Sequence, residues 1–143
     1  MSKVWFMSRE TFEVFHPNEP TAYISINGHG HSVPRTTPGL WVAGLAWYRE
    51  DDSNPVPERE VKMLCSFVET WRDYAWVVHC AAGISRSAAV AHYISAVLDL
   101  PLVGLDSDGS GANTVIKAAL MHHMWEVQFK EPYIDQYIKK GRI

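Results

Sequence analysis

The sequence predicts an α/β fold, on three observations. Short apolar runs that suit strands alternate along the chain with stretches of helical periodicity. One of these runs, Ala75-Trp76-Val77-Val78, is apolar throughout, as a strand covered on both faces must be. The chain has 143 residues, 47% of them hydrophobic, which is enough to build one core and so one globular domain, 1–143.

Lys3 to Met7 reads as the first strand. Ser8 stands where an N-cap belongs and opens a short helix to about Phe15, which His16-Pro17-Asn18-Glu19-Pro20 ends. Thr21 to Ile26 is the second strand. Asn27 to Gly39 is a loop, because Gly28, Gly30, Pro34 and Pro38 interrupt any regular element. Its His29 and His31 lack further ligands at suitable spacing, so the loop reads as solvated and not as a metal site.

Leu40 to Tyr48 is the third strand, and Arg49-Glu50-Asp51-Asp52-Ser53-Asn54-Pro55 an acidic loop after it. Pro57 starts a helix with Glu58 and Glu60 at the positive end of its dipole. Val61, Leu64, Cys65, Val68 and Trp71 share one face of that helix, which makes Cys65 a packing residue. The run at 75–78 is the fourth strand, and an Ala-rich helix follows from Ser85 to Leu98.

Pro101 to Leu105 leads into Asp106-Ser107-Asp108-Gly109-Ser110-Gly111. This imitates a calcium loop, but the glycine is misplaced and Lys117 stands where a glutamate ligand belongs, so it reads as a turn. Ala112 to about Lys130 is a further helix. His122 and His123 are adjacent on it and point apart, which suits no metal. Pro132 starts a last short helix through Ile138.

Charge and cysteine usage narrow the partners. A net charge of −3 supplies no basic field for nucleic acid or an anionic membrane. The apolar runs fall short of a membrane span, and Met1 to Trp5 lacks the layout of a signal peptide. Cys65 and Cys80, the two cysteines, do not make a disulfide framework, and a chain that works through a thiolate needs a reducing compartment; the expected location is cytoplasmic.

The chemistry is concentrated in His79-Cys80-Ala81-Ala82-Gly83-Ile84-Ser85-Arg86-Ser87, between the fourth strand and its helix. A loop ending at a helix N-terminus presents unpaired N–H groups and the positive end of a dipole, a site for a phosphate-like anion. Ala81, Ala82 and Gly83 leave that cradle unobstructed, and Gly83 can adopt backbone angles closed to other residues. Arg86 can close it with a planar fork matching two phosphate oxygens. The same field favours a thiolate at Cys80, beneath the bound phosphoryl group.

These residues resemble the His-Cys-x-x-Gly-x-x-Arg-Ser signature of the cysteine-dependent protein tyrosine phosphatase superfamily, and Gly-Ile-Ser-Arg-Ser is most similar to its small dual-specificity branch. The resemblance implies a central, mainly parallel sheet of about four or five strands flanked by helices, with the phosphatase P-loop between a central strand and a helix. It implies Cys80 as nucleophile, with Arg86 and the amides of Ala81, Ala82, Gly83, Ile84 and Ser85 holding the phosphoryl oxygens. Ser87 would hydrogen-bond the Cys80 sulfur, and His79 would orient the loop and help hold the thiolate. No metal or cofactor is needed for this chemistry.

The family also places an acidic proton donor in a loop roughly thirty residues before the nucleophile, worth about 10²–10⁴-fold. Asp51 lies 29 residues before Cys80 and Asp52 28, with Glu50 also in reach. Asp52 is preferred, and Asp51 stays open. The family's Pro-Asn pair is replaced here by Ala112-Asn113. The implied partner is a phosphorylated protein or peptide, phosphotyrosine first. Ala81, Ala82, Ile84 and Ser85 include no cation, which disfavours inositol phosphates. Two alternatives use the same cradle: a catalytically weak phosphate-reading module, and a sulfurtransferase or arsenate reductase.

Overall fold

The computed structural model describes residues 2–130. Its strands are β1 (Val4–Ser8), β2 (Thr21–Asn27), β3 (Trp41–Tyr48), β4 (Ala75–Cys80) and β5 (Leu102–Gly104). They form one sheet in the order β3-β2-β4-β1-β5, and every neighbouring pair is parallel. The helices are α1 (Arg9–Val14), α2 (Glu58–Thr70), α3 (Arg86–Leu98) and α4 (Thr114–Met124), the last continued by a π-helical stretch, Trp125–Lys130. None of the described helices is long and apolar enough to cross a membrane.

Strand alternation sorts the side chains into two layers. Val4, Phe6, Ala22, Ile24, Ile26, Trp76, Val78 and Cys80, all even-numbered, share the main core with Val61, Leu64 and Val68 of α2, Ala88 to Ala91, Tyr93 and Ile94 of α3, and Ile116 and Leu120 of α4. The odd-numbered Trp5, Met7, Tyr23 and Val77 turn to the other face. There they pack with Phe12 and Phe15 at α1, and with Trp41. An isolated helix of six residues has no stability of its own in water. Phe12, fully buried, anchors this one, and its truncation to Ala is expected to cost about 3–5 kcal/mol.

Topology decides where the site lies. From β1 the chain crosses through α1 to β2 on one side of the sheet's centre. From β4 it crosses through α3 to β5 on the other side. The two strands are neighbours and end together, with Ser8 opposite Cys80. The connections that leave these ends diverge, which opens a crevice at the carboxyl edge of the sheet.

The mainly parallel sheet of four or five strands expected from the sequence is thus an all-parallel sheet of five. β5, which reads from sequence only as the approach to a turn, pairs with β1 at Val4, Trp5 and Phe6. Three residues are too short to display alternation. The helix expected from Ala112 begins at Thr114, because Asn113 accepts a hydrogen bond from the Ile116 amide at 3.0 Å and serves as its cap. The short helix expected from Pro132 lies outside the described residues.

Candidate active site

β4 delivers Cys80 to the sheet edge, and residues 81–85 turn directly into α3. The turn depends on Gly83. Its φ is +71°, and a Cβ there would lie 2.4 Å from the Ser8 nitrogen and 2.5 Å from the Met7 carbonyl carbon. The first half of the loop is moored to its surroundings: the Arg9 amide donates to the Ala81 carbonyl at 3.3 Å, and the Ser107 hydroxyl to the Gly83 carbonyl at 3.0 Å.

Cys80 is 2% exposed, and its Sγ lies 3.1 Å from Ser87 Oγ in a buried hydrogen bond. A serine hydroxyl in that position can donate to a sulfur that has lost its proton. No side chain caps α3, since the Ser85 hydroxyl is directed elsewhere. Arg86 is 8% exposed and donates from Nη1 to the Arg49 carbonyl at 2.6 Å, while its buried Nε has no partner. Ala81, Ala82 and Arg86 line a cavity of about 540 Å³ together with Ser8 and Asn27. An uncapped helix start beside an unpartnered buried guanidinium N–H suits an anion.

The acidic loop folds onto this turn, and a residue without an obvious role in the sequence organises it. Arg49 is 7% exposed. Its Nη2 pairs with Asp52 Oδ1 at 3.1 Å and donates to the Asn54 carbonyl, and its Nη1 reaches the Pro55 carbonyl at 3.4 Å. Its own carbonyl is the acceptor for Arg86. Asp52 also accepts from the Asn54 amide and side chain, each at 3.0 Å, so it serves the interior of its own loop. Asp51 turns outward: its Oδ1 accepts from Ser85 Oγ at 2.8 Å and from Asn113 Nδ2 at 2.9 Å. Of the two carboxylates singled out from sequence, Asp51 is the one that touches the Cys80–Arg86 turn.

His79 is fully buried, stacked on Phe12 with ring centroids 4.4 Å apart. Its Nε2 is 2.6 Å from Ser25 Oγ, which also accepts from Asn27 Nδ2 at 2.9 Å. The His79 Nδ1 is buried with no partner, so the bond to Ser25 is the ring's anchor. Burial lowers the His79 pKa to about 4, against a smaller opposing pull from the Cys80 backbone. The imidazole is therefore neutral near pH 7, and what it gives the loop is position rather than charge.

Cys65 sits on the core face of α2, where burial raises its pKa. Three features escape a reading of the sequence. Arg49 carries no signal that it would be buried. Asp106, two residues past β5, lines the cavity with Glu50 and His31. Asn113 reaches the acidic loop through its side chain and the 81–85 turn through its amide, although a cap residue ahead of Thr-Val-Ile was detectable. No protein-family model matches the chain, and no curated protein matches it either.

Proposed function

We propose that the chain is a phosphate monoester hydrolase, a protein tyrosine or dual-specificity phosphatase that works through a phosphocysteine intermediate in the cytoplasm. The observation that carries the reading is a pair of neighbours at the start of α3: the Cys80 Sγ to Ser87 Oγ bond of 3.1 Å, and the unpartnered Nε of buried Arg86. The resemblance of residues 79–87 to the phosphatase signature supports it.

In this mechanism the Cys80 thiolate attacks phosphorus, forming the S–P bond as the P–O bond of the ester breaks. Arg86 and the amides of the 81–86 turn hold the three non-bridging oxygens, whose charge grows in the transition state. Asp51 protonates the leaving oxygen. Its Oδ1 is engaged by Ser85 and Asn113, which leaves Oδ2 to carry the proton. Asp52, paired with Arg49 and bonded to Asn54, is engaged within its own loop. Water then attacks phosphorus, gives its proton to Asp51, and expels the Cys80 thiolate, which the Ser87 hydroxyl steadies.

The test is p-nitrophenyl phosphate hydrolysis from about pH 5 to 8 for wild type, Cys80→Ser, Asp51→Asn and Asp52→Asn. Cys80→Ser should abolish turnover. Asp51→Asn should lower kcat by about 10²–10⁴-fold and flatten the basic limb of the profile, which Asp52→Asn should keep. Turnover that survives Cys80→Ser would overturn the mechanism. A folded wild type that binds vanadate without turnover would be a phosphate-reading binding module instead.

A further inference from the structure

Once a phosphoryl group takes the turn and Arg86, the walls around it are acidic. Glu10, Glu50 and Asp106 line the same cavity, against Arg9 as the one remaining cation among the described lining residues. Arg9 is itself engaged, 3.4 Å from Glu13 and donating to the Ser32 carbonyl at 2.7 Å. Two of the carboxylates are fixed in place by hydrogen bonds. Glu50 Oε1 accepts from the His29 amide at 2.6 Å, and it lies so near Gly28 that a Cβ there would sit 3.0 Å away. Asp106 accepts from the Ser8 amide at 2.8 Å through Oδ2 and from the Thr11 hydroxyl at 3.2 Å through Oδ1. The phosphoryl end of the cavity is marked by the unpartnered Nε of Arg86, a side chain more than nine-tenths buried.

We propose that this cavity selects phosphopeptides with lysine or arginine beside the phosphorylated residue, and that Glu50 and Asp106 set the preference. The inference rests on the phosphatase reading above. Held carboxylates lose no rotamer freedom when a cation meets them, and the same charges repel a second phosphate or an acidic flank. Substrates with several phosphates are thereby disfavoured twice, by the walls and by the uncharged side chains of Ala81, Ala82 and Ile84.

The experiment compares kcat/KM for phosphotyrosine peptides identical except for lysine or glutamate flanking the phosphorylated residue, with p-nitrophenyl phosphate as a substrate that has no flank. A pair of exposed ion pairs should favour the lysine peptide by about 3- to 10-fold at low salt, and the ratio should shrink towards one at about 0.5 M salt. Glu50→Gln and Asp106→Asn should each reduce the ratio. A ratio of one, or one favouring glutamate, with p-nitrophenyl phosphate still turned over, overturns the inference and spares the phosphatase reading. Failure on p-nitrophenyl phosphate as well removes both. The salt series on wild type needs no variant to fold.

Discussion

Asn113 Nδ2 donates to Asp51 Oδ1 at 2.9 Å, across 62 residues of sequence. The same nitrogen donates to the Asp52 carbonyl at 3.0 Å, the Asn113 amide donates to the Ser85 carbonyl at 3.0 Å, and its Oδ1 caps α4. One residue thus ties the acidic loop, the Cys80–Arg86 turn and a helix start together, the first and last through its side chain and the turn through its amide.

That position separates two roles by substitution. Asn113→Ala should lose about 1 kcal/mol of stability with the cap, and lower kcat more than it raises KM. Asn113→Asp keeps a good cap but sets a carboxylate against Asp51, so stability should largely recover while kcat does not. Urea titration and p-nitrophenyl phosphate kinetics measure the two. If kcat recovers together with stability in Asn113→Asp, the residue serves the helix alone.

Gly83→Ala should damage the site and the fold at once. Its left-handed φ and the backbone of Met7 and Ser8 both exclude a Cβ. Together these are expected to cost roughly 2 kcal/mol or more, and to displace the turn from β1. Thermal unfolding and vanadate binding should both weaken; a variant that melts with wild type would mean that the turn tolerates the side chain.

His79 makes a pH-dependent contribution of definite sign. Its folded pKa of about 4 lies below the ordinary value of 6.5. Between those values the unfolded chain carries a proton that the folded chain refuses, so stability rises with pH through the window and is lost as pH falls through it. The full span corresponds to roughly 3 kcal/mol. Urea unfolding at about pH 7 and pH 4.5 should show a smaller loss for His79→Gln than for wild type. An equal loss in both would assign the acid sensitivity to other groups.

Much of the fold was legible because the period of the apolar residues reports it directly. The strands at 4–8, 21–27, 41–48 and 75–80 and the helices after Ser8, Pro57 and Ser85 follow from alternation, capping and helical spacing. β5 did not, since three residues contain no period, and its place beside β1 is a property of the whole sheet. The choice between Asp51 and Asp52 was equally invisible. Neighbours in an acidic loop look alike in sequence, and Asp52 is the one drawn inward only because Arg49 is buried beneath it.

The sequence by itself determined the α/β alternation and the 79–87 turn, with Cys80, Gly83, Arg86 and Ser87 at spacings that the chain's own stereochemistry makes meaningful. These are local matters, decided within a few residues. Tertiary structure alone decided what surrounds that turn: Asp51 against Ser85, Asn113 joining it to the acidic loop, and Glu50 and Asp106 on the cavity walls. Such contacts join residues tens of positions apart, and they exist only because parallel strands bring their carboxyl ends to a common edge.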